Sequence, residues 1–259
     1  MKLTFCVFGF VLTACLQNKQ QNKQPDAIIS PNSVNSQKIV NAVGDIEPLQ
    51  GFNRILAAKN SFADWLRNLK FKKDKTVYLF NGNKKQNQSA QFAVIDISTG
   101  KTDLQQCADV VMRLRAEYLF AIKKFDSIRF MDYDGKWYNW NGANDRKKFE
   151  SYLQTVFGCC GSASLEKQLK PKNNFYDIQI GDVLVKGGFP GHAMIVADMA
   201  ANNQGEKIFM LIQGYQPAQD IHLVINPADL GISPWYRIPT GTVISTPEWT
   251  FYKKQLHCW

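Results

Sequence analysis

The chain has 259 residues, 45% of them hydrophobic, 12% aromatic and 20% charged, and carries a formal net charge of +9. That balance marks a globular chain with enough apolar material for one good-sized core or two small ones. The basic pairs and triplets (FKKDK, NKK, IKKF, RKKF, YKK) are scattered along the chain and do not form one stripe. With no nucleic-acid motif beside them, they read as solvated faces attracted to anionic lipid or cell-wall polymer, and no nucleic-acid partner is expected.

The start, MKLTFCVFGFVLTAC, has one lysine, an apolar run too short to span a bilayer, and small residues before a cysteine, the pattern of an export signal. Its last four residues, Leu12 to Cys15, resemble the lipobox of bacterial lipoproteins, which implies cleavage before Cys15 and lipidation of that cysteine. Residues 1–14 are then the lipoprotein signal peptide. Residues 15–44, rich in Gln, Asn, Ser and Pro, form a flexible tether, and 45–259 a single folded domain. The protein is expected in the bacterial cell envelope, outside the cytoplasm, held to a membrane by its N-terminal lipid. No other stretch is long and apolar enough to cross a membrane.

In the domain, SFADWLRNLKF begins with Ser61 and Asp64 near capping-box spacing and predicts a short helix. KTVYLF and AQFAVIDI, separated by a loop containing Asn81-Gly82, predict a hairpin. The longest helix is expected over DLQQCADVVMRLRAEYLFAIKKF, capped by Asp103, with Cys107, Val110, Val111, Leu114, Tyr118 and Ile122 on one face. DRKKFESYLQTVF predicts another helix ending at Gly158, and SLEKQLK a short one stopped by Pro171. From Tyr176 onward the pattern turns to strands: GDVLVK, HAMIVADM, KIFMLIQ, DIHLVI and EWTFYK. Helices first and strands afterwards predict an α+β domain with N-terminal helices on an antiparallel sheet.

Four cysteines remain beyond the signal and Cys15: Cys107, Cys159, Cys160 and Cys258. Disulfides and a zinc or redox site both stay open, although a Cys-Cys pair lacks the gap of a metal knuckle. A third use is nucleophilic. A helix N-terminus stabilises a thiolate, and Cys107 sits in the first turn of the long helix, facing the sheet. His192 opens one strand of that sheet, and a Cys/His pair is the machinery of covalent acyl transfer. Gln213, at the end of the next strand, can orient the ring; Asp198 lies too far along its own strand. Gly187, Gly188 and Gly191 clear side-chain bulk beside His192 for an approaching peptide. His222 reads as an exposed strand position, and Trp235, Tyr236 and Trp249 as packing aromatics before groove residues.

Cysteine heading a helix, then GDVLV and GHAMIVAD with histidine opening a strand, then a polar residue on the following strand, resembles the NlpC/P60 and CHAP cysteine peptidases of the papain-like class. The resemblance implies a papain-like fold and cleavage of peptide or amide bonds, commonly in cell-wall peptides, without a cofactor. It assigns Cys107 as nucleophile, His192 as base and Gln213 as orienter. The oxyanion would be held by the Cys107 backbone N–H and the side chain of Gln105 or Gln106. SFADWLRNL, QQCADVVMRLRAEYL, GDVLVKGGFPGHAMIVADMA and YQPAQDIHLV together look more closely like a family of bacterial lipoproteins known only as a domain of unknown function. The alternative is a surface lipoprotein that keeps the papain-like shell as a binding module.

Overall fold

Residues 40–259 are described in the computed structural model. The expected signal peptide, the lipidated Cys15 and the tether as far as residue 39 lie outside the described residues. Helix α1 (Phe62–Arg67) starts where Ser61 accepts a hydrogen bond from the Asp64 N–H at 3.2 Å. Helix α2 (Cys107–Ala121) starts later than its apolar pattern suggested. Asp103 does not cap it: Asp103 accepts instead from the Ala218 N–H at 2.7 Å and from Gln106 Nε2 at 3.0 Å. The Asp109 carboxylate turns back to the Gln106 N–H at 3.0 Å, so Gln106 is the cap and Cys107 the first helical residue. Helix α3 (Arg146–Cys159) is capped by Asp145, which accepts from the Lys148 N–H, and α4 (Ser162–Gln168) follows after a short corner.

The strands, in chain order, are β1 (Phe52–Arg54), β2 (Gln91–Val94), β3 (Arg129–Met131), β4 (Trp137–Asn139), β5 (Lys170–Lys172), β6 (Val183–Lys186), β7 (His192–Asn202), β8 (Lys207–Gln213), β9 (His222–Val224), β10 (Tyr236–Arg237), β11 (Val243–Ser245), β12 (Thr250–Tyr252) and β13 (Leu256–Cys258). Nine of them form one sheet in the order β2-β9-β8-β7-β6-β13-β5, with β1 added on β7 and β10 on β8. Every pairing in it is antiparallel. β3 with β4 and β11 with β12 make two separate small ribbons. The fold is thus mixed α/β, with a large antiparallel sheet and few helices.

Strand alternation divides the apolar residues between two cores. Ala193, Ile195, Met210, Ile212 and Leu223 face helices α1 to α4 and meet Val110, Val111 and Leu114 of α2. Leu184, Met194, Leu211 and Val224 face the other way, onto Phe175 and the ribbon residues Ile244 and Phe251. Because both faces are covered, β6, β7 and β8 are apolar almost continuously instead of alternating with polar residues.

Three sequence expectations change here. The Asn81-Gly82 turn closes only the stretch 77–85, where the Leu79 N–H donates to the Asn83 carbonyl and the Lys85 N–H to the Val77 carbonyl. Strand β2 instead pairs with β9, far along the chain. The folded part begins before residue 45, since Ala42 and Val43 are buried and Ala42 bridges to Lys70. His222 is fully buried, because the β2 strand that was expected in a hairpin lies beside it and the second core covers its face.

Candidate functional site

The elements converge at one end of the central strands. Gly214 follows β8, and a Cβ there would lie 2.5 Å from Val110 Cγ2 and 3.0 Å from the Gln106 carbonyl oxygen. Glycine therefore lets the end of β8 press against the first turn of α2, which brings Cys107 to the opening of β7. The N–H groups of Ala193, at the opening of β7, and of Cys107 and Ala108, at the helix start, favour the anionic form of the Cys107 sulfur.

Cys107 and His192 line one cleft of about 340 Å³. Its walls are residues 188–191, the corner at 157–162 between α3 and α4, and Tyr215, Gln216 and Trp249. The glycines near His192 serve the fold more than a ligand. A Cβ on Gly187 would fall 2.6 Å from Glu166 Oε2, and one on Gly191 would meet Ser162, so both places are filled by α4. Gly188 alone faces open space, with φ at +101°. The adjoining Phe189 stands fully exposed on the rim.

The hydrogen bonds around His192 settle its proton by elimination. His222 Nδ1 lies 2.9 Å from the Asp220 carbonyl, which can only accept, so the proton of His222 is on Nδ1 and its Nε2 is a lone pair. Gln213 Nε2 donates to that Nε2 at 3.0 Å and to Glu248 Oε2 at 2.8 Å, which uses both of its N–H groups. Gln213 Oε1 must then accept, and His192 Nε2, 2.9 Å away, donates to it. The lone pair of His192 is therefore on Nδ1, which makes no hydrogen bond among the described residues. Lys85 Nζ anchors the far end of the chain on Glu248 Oε2 at 2.6 Å. Tyr215, Trp249 and Phe251 enclose the His192 ring, with centroids at 5.0, 5.3 and 5.8 Å.

Burial sets the charge state. It pushes the Cys107 thiol up to about 11, outweighing the three N–H groups that favour the anion, while the nearby Asp109 carboxylate adds to the rise. Burial likewise pulls His192 down to about 4, against the opposing effect of its bond to Gln213, with Lys85 adding to the fall. His222 is brought to about 3 by burial first and by Lys85 next. At neutral pH the empty cleft holds a neutral thiol and a neutral imidazole, without a hydrogen bond between them. The dipole at the helix start does not by itself yield the thiolate that the position of Cys107 suggested.

The remaining sequence candidates divide clearly. Gln106 lines the cleft, but its amide is turned to Asp103. Gln105 is not in the cleft: its Oε1 accepts from Arg113 at 2.9 Å, and it faces a different hollow between α2 and α3. Both precede the helix, and the extended backbone at Gln106 turns successive side chains to opposite sides, which is why only one can reach the substrate side. Asp198 is buried between Arg54 and Arg67. Trp235 and Tyr236 are buried packing residues, whereas Trp249 belongs to the cleft wall. Sequence reasoning missed Glu248 and Lys85, which are far from His192 in the chain and carry no local motif. All four cysteines are free thiols, and no group of three or more His, Cys, Asp or Glu among the described residues is placed to hold a metal ion.

Fold and site together define a mixed α/β domain with a cysteine and a glutamine-held histidine sharing a cleft at the end of its central strands. The chain belongs to the family described as "Domain of unknown function (4846)", which matches it over residues 44–143 and 132–258. No curated protein and no solved structure gives a significant match.

Proposed function

We propose that the protein is a papain-like cysteine hydrolase or amidase that cleaves peptide or amide bonds, with cell-wall peptides as the substrate class and a lipid on Cys15 as its membrane anchor in the bacterial envelope. The observation that carries the reading is that Cys107 starts a helix in the same cleft where His192 presents a bare Nδ1, its other nitrogen being tied to Gln213. In the reaction, Cys107 sulfur attacks the carbonyl carbon as its proton passes to His192 Nδ1. The tetrahedral oxyanion takes a hydrogen bond from the Cys107 N–H. The C–N bond then breaks, the amine leaves with the proton from His192, and a thioester remains. Water, giving a proton to His192, attacks the thioester; the acid departs and the proton returns to the sulfur.

Since thiol and imidazole are both neutral in the empty cleft, His192 acts as a general base during attack and not as half of a preformed ion pair. Incubation with purified cell-wall stem peptides, followed by mass spectrometry, tests the activity. Wild type should release fragments, and Cys107→Ser should release none; equal cleavage by both would remove the proposal. A second reading, a binding module with a papain-like shell, is favoured by the raised thiol and the missing Cys107–His192 hydrogen bond. It predicts saturable peptide binding, with no acyl adduct on Cys107 under any condition.

A further inference from the structure

Asp109 has no part in the reaction just described, yet it lines the cleft beside Cys107. Its side chain is only 5% exposed; Oδ2 is occupied by the Gln106 N–H, and Oδ1 is buried with no hydrogen-bond partner. A buried acceptor left unpaired is costly, and most native structures avoid it. A second, independent feature is the sign of the charges. The chain has 31 lysines and arginines against 22 aspartates and glutamates, but among the described residues lining this cleft there is no lysine or arginine, while Asp103 and Asp109 both line it. A third is the aromatic lining of Phe157, Tyr215 and Trp249, with Phe189 on the rim, since ring faces attract ammonium and guanidinium groups.

From these we infer that the cleft selects substrates carrying a cationic group, a primary amine or guanidinium close to the scissile bond, and that Asp109 Oδ1 is the acceptor that reads it. The inference rests on the cleft being a substrate site and deepens that reading by naming the charge of the substrate. It also gives the cation a second effect. Burial pushes the Asp109 carboxyl well above its ordinary value; a cation seated on Oδ1 would favour its ionised form and offset the opposition that this charge offers to the Cys107 thiolate.

The test uses the full chain and three methanethiosulfonates of similar size: trimethylammonium-ethyl, sulfonato-ethyl and an uncharged alkyl reagent. Each forms a mixed disulfide with a thiolate and releases a sulfinate, and peptide mass mapping separates the Cys107 adduct from that on the exposed Cys159. One-signed clefts raise the local concentration of counter-ions. Relative to an unstructured cysteine peptide, Cys107 should therefore favour the cationic over the anionic reagent by about tenfold or more at low salt. Asp109→Asn keeps an oxygen for the Gln106 N–H and should bring that ratio back toward the peptide's.

A wild-type ratio equal to the peptide's, or one favouring the anion, overturns the inference without any variant. So does a ratio that survives Asp109→Asn in protein with an unchanged circular-dichroism spectrum. Cys107 inert to all three reagents overturns both this inference and the hydrolase reading. A tenfold cation preference together with no amide cleavage would uphold the selection and defeat only the hydrolase.

Discussion

Two buried polar clusters sit on the same strand, β7, and they differ in whether they are closed. At Asp198 every acceptor is used: Oδ2 takes Arg54 Nε at 2.7 Å, and Oδ1 takes Arg67 Nη2 at 2.5 Å and the Met199 N–H at 2.8 Å. Arg54 and Arg67 also donate through Nη2 to the carbonyls of Ile46 and Ile55. At His192 the chain through Gln213, His222, Glu248 and Lys85 is equally well bonded on its inner side, but it ends on an unpaired ring nitrogen and a cleft. A closed cluster joins elements to one another. An open one, held just as firmly, keeps a reactive atom in a fixed place for something that arrives.

The comparison can be broken at either cluster. The largest expected effect is at the closed one: Asp198→Ala leaves two guanidinium groups without their buried counter-charge and should cost about 3–5 kcal/mol in urea unfolding. The protein that remains folded should acylate at Cys107 as wild type does. Next comes pH. His192 titrates at about 4 when folded against an ordinary value of 6.5. The unfolded chain therefore binds protons that the native state refuses, and stability, full above about pH 6.5, should fall as pH drops toward 4. The loss from His192 alone is about 3 kcal/mol. His222, depressed to about 3 by its burial, adds to it, and denaturant midpoints should lose much of this acid slope in His192→Asn.

Gln213→Leu opens the comparison from the other side. It removes the acceptor for His192 and both donors to His222 and Glu248, for about 1–3 kcal/mol of stability. Acylation of Cys107 should slow on the order of 100-fold, because the imidazole is no longer oriented. The reverse pattern, large stability loss with normal acylation, would make this cluster structural like the one at Asp198. The smallest effect is at Cys159, exposed at the end of α3: Cys159→Ser should stay within about 0.5 kcal/mol of wild type and leave Cys107 acylation unchanged.

Local signals were readable wherever the cause was local. Ser61 and Asp145 cap the helices they precede, and strand β8 coincides with the run KIFMLIQ, because side-chain caps and apolar runs act within a few residues. The meeting of Cys107 and His192 in one cleft was legible as order along the chain, helix start followed by strand start. What failed depended on partners distant in sequence. The pairing of β2 with β9 buries His222, and periodicity within DIHLVI cannot report which strand will lie beside it. The glycines around His192 looked like space for a peptide; α4 takes that space at Gly187 and Gly191. Asp109 carries no local signal that sets it apart in the sequence, and only its orphaned oxygen distinguishes it. The expected thiolate failed for a reason of magnitude: three N–H groups do not offset the cost of burying an anion.

Whether His192 takes the proton from Cys107 separates a hydrolase from a binding shell. The direct measurement is pre-steady-state acylation by p-nitrophenyl acetate, following nitrophenolate release and the acetyl group on the Cys107 peptide, in wild type and His192→Ala from pH 5 to pH 11. At pH 7 wild type should acylate Cys107 at least about 100-fold faster than the variant, with the two rates converging as the thiol ionises near pH 11. Superimposable rates at pH 7 in two folded proteins would show a sulfur and a ring that share a cleft without sharing a proton.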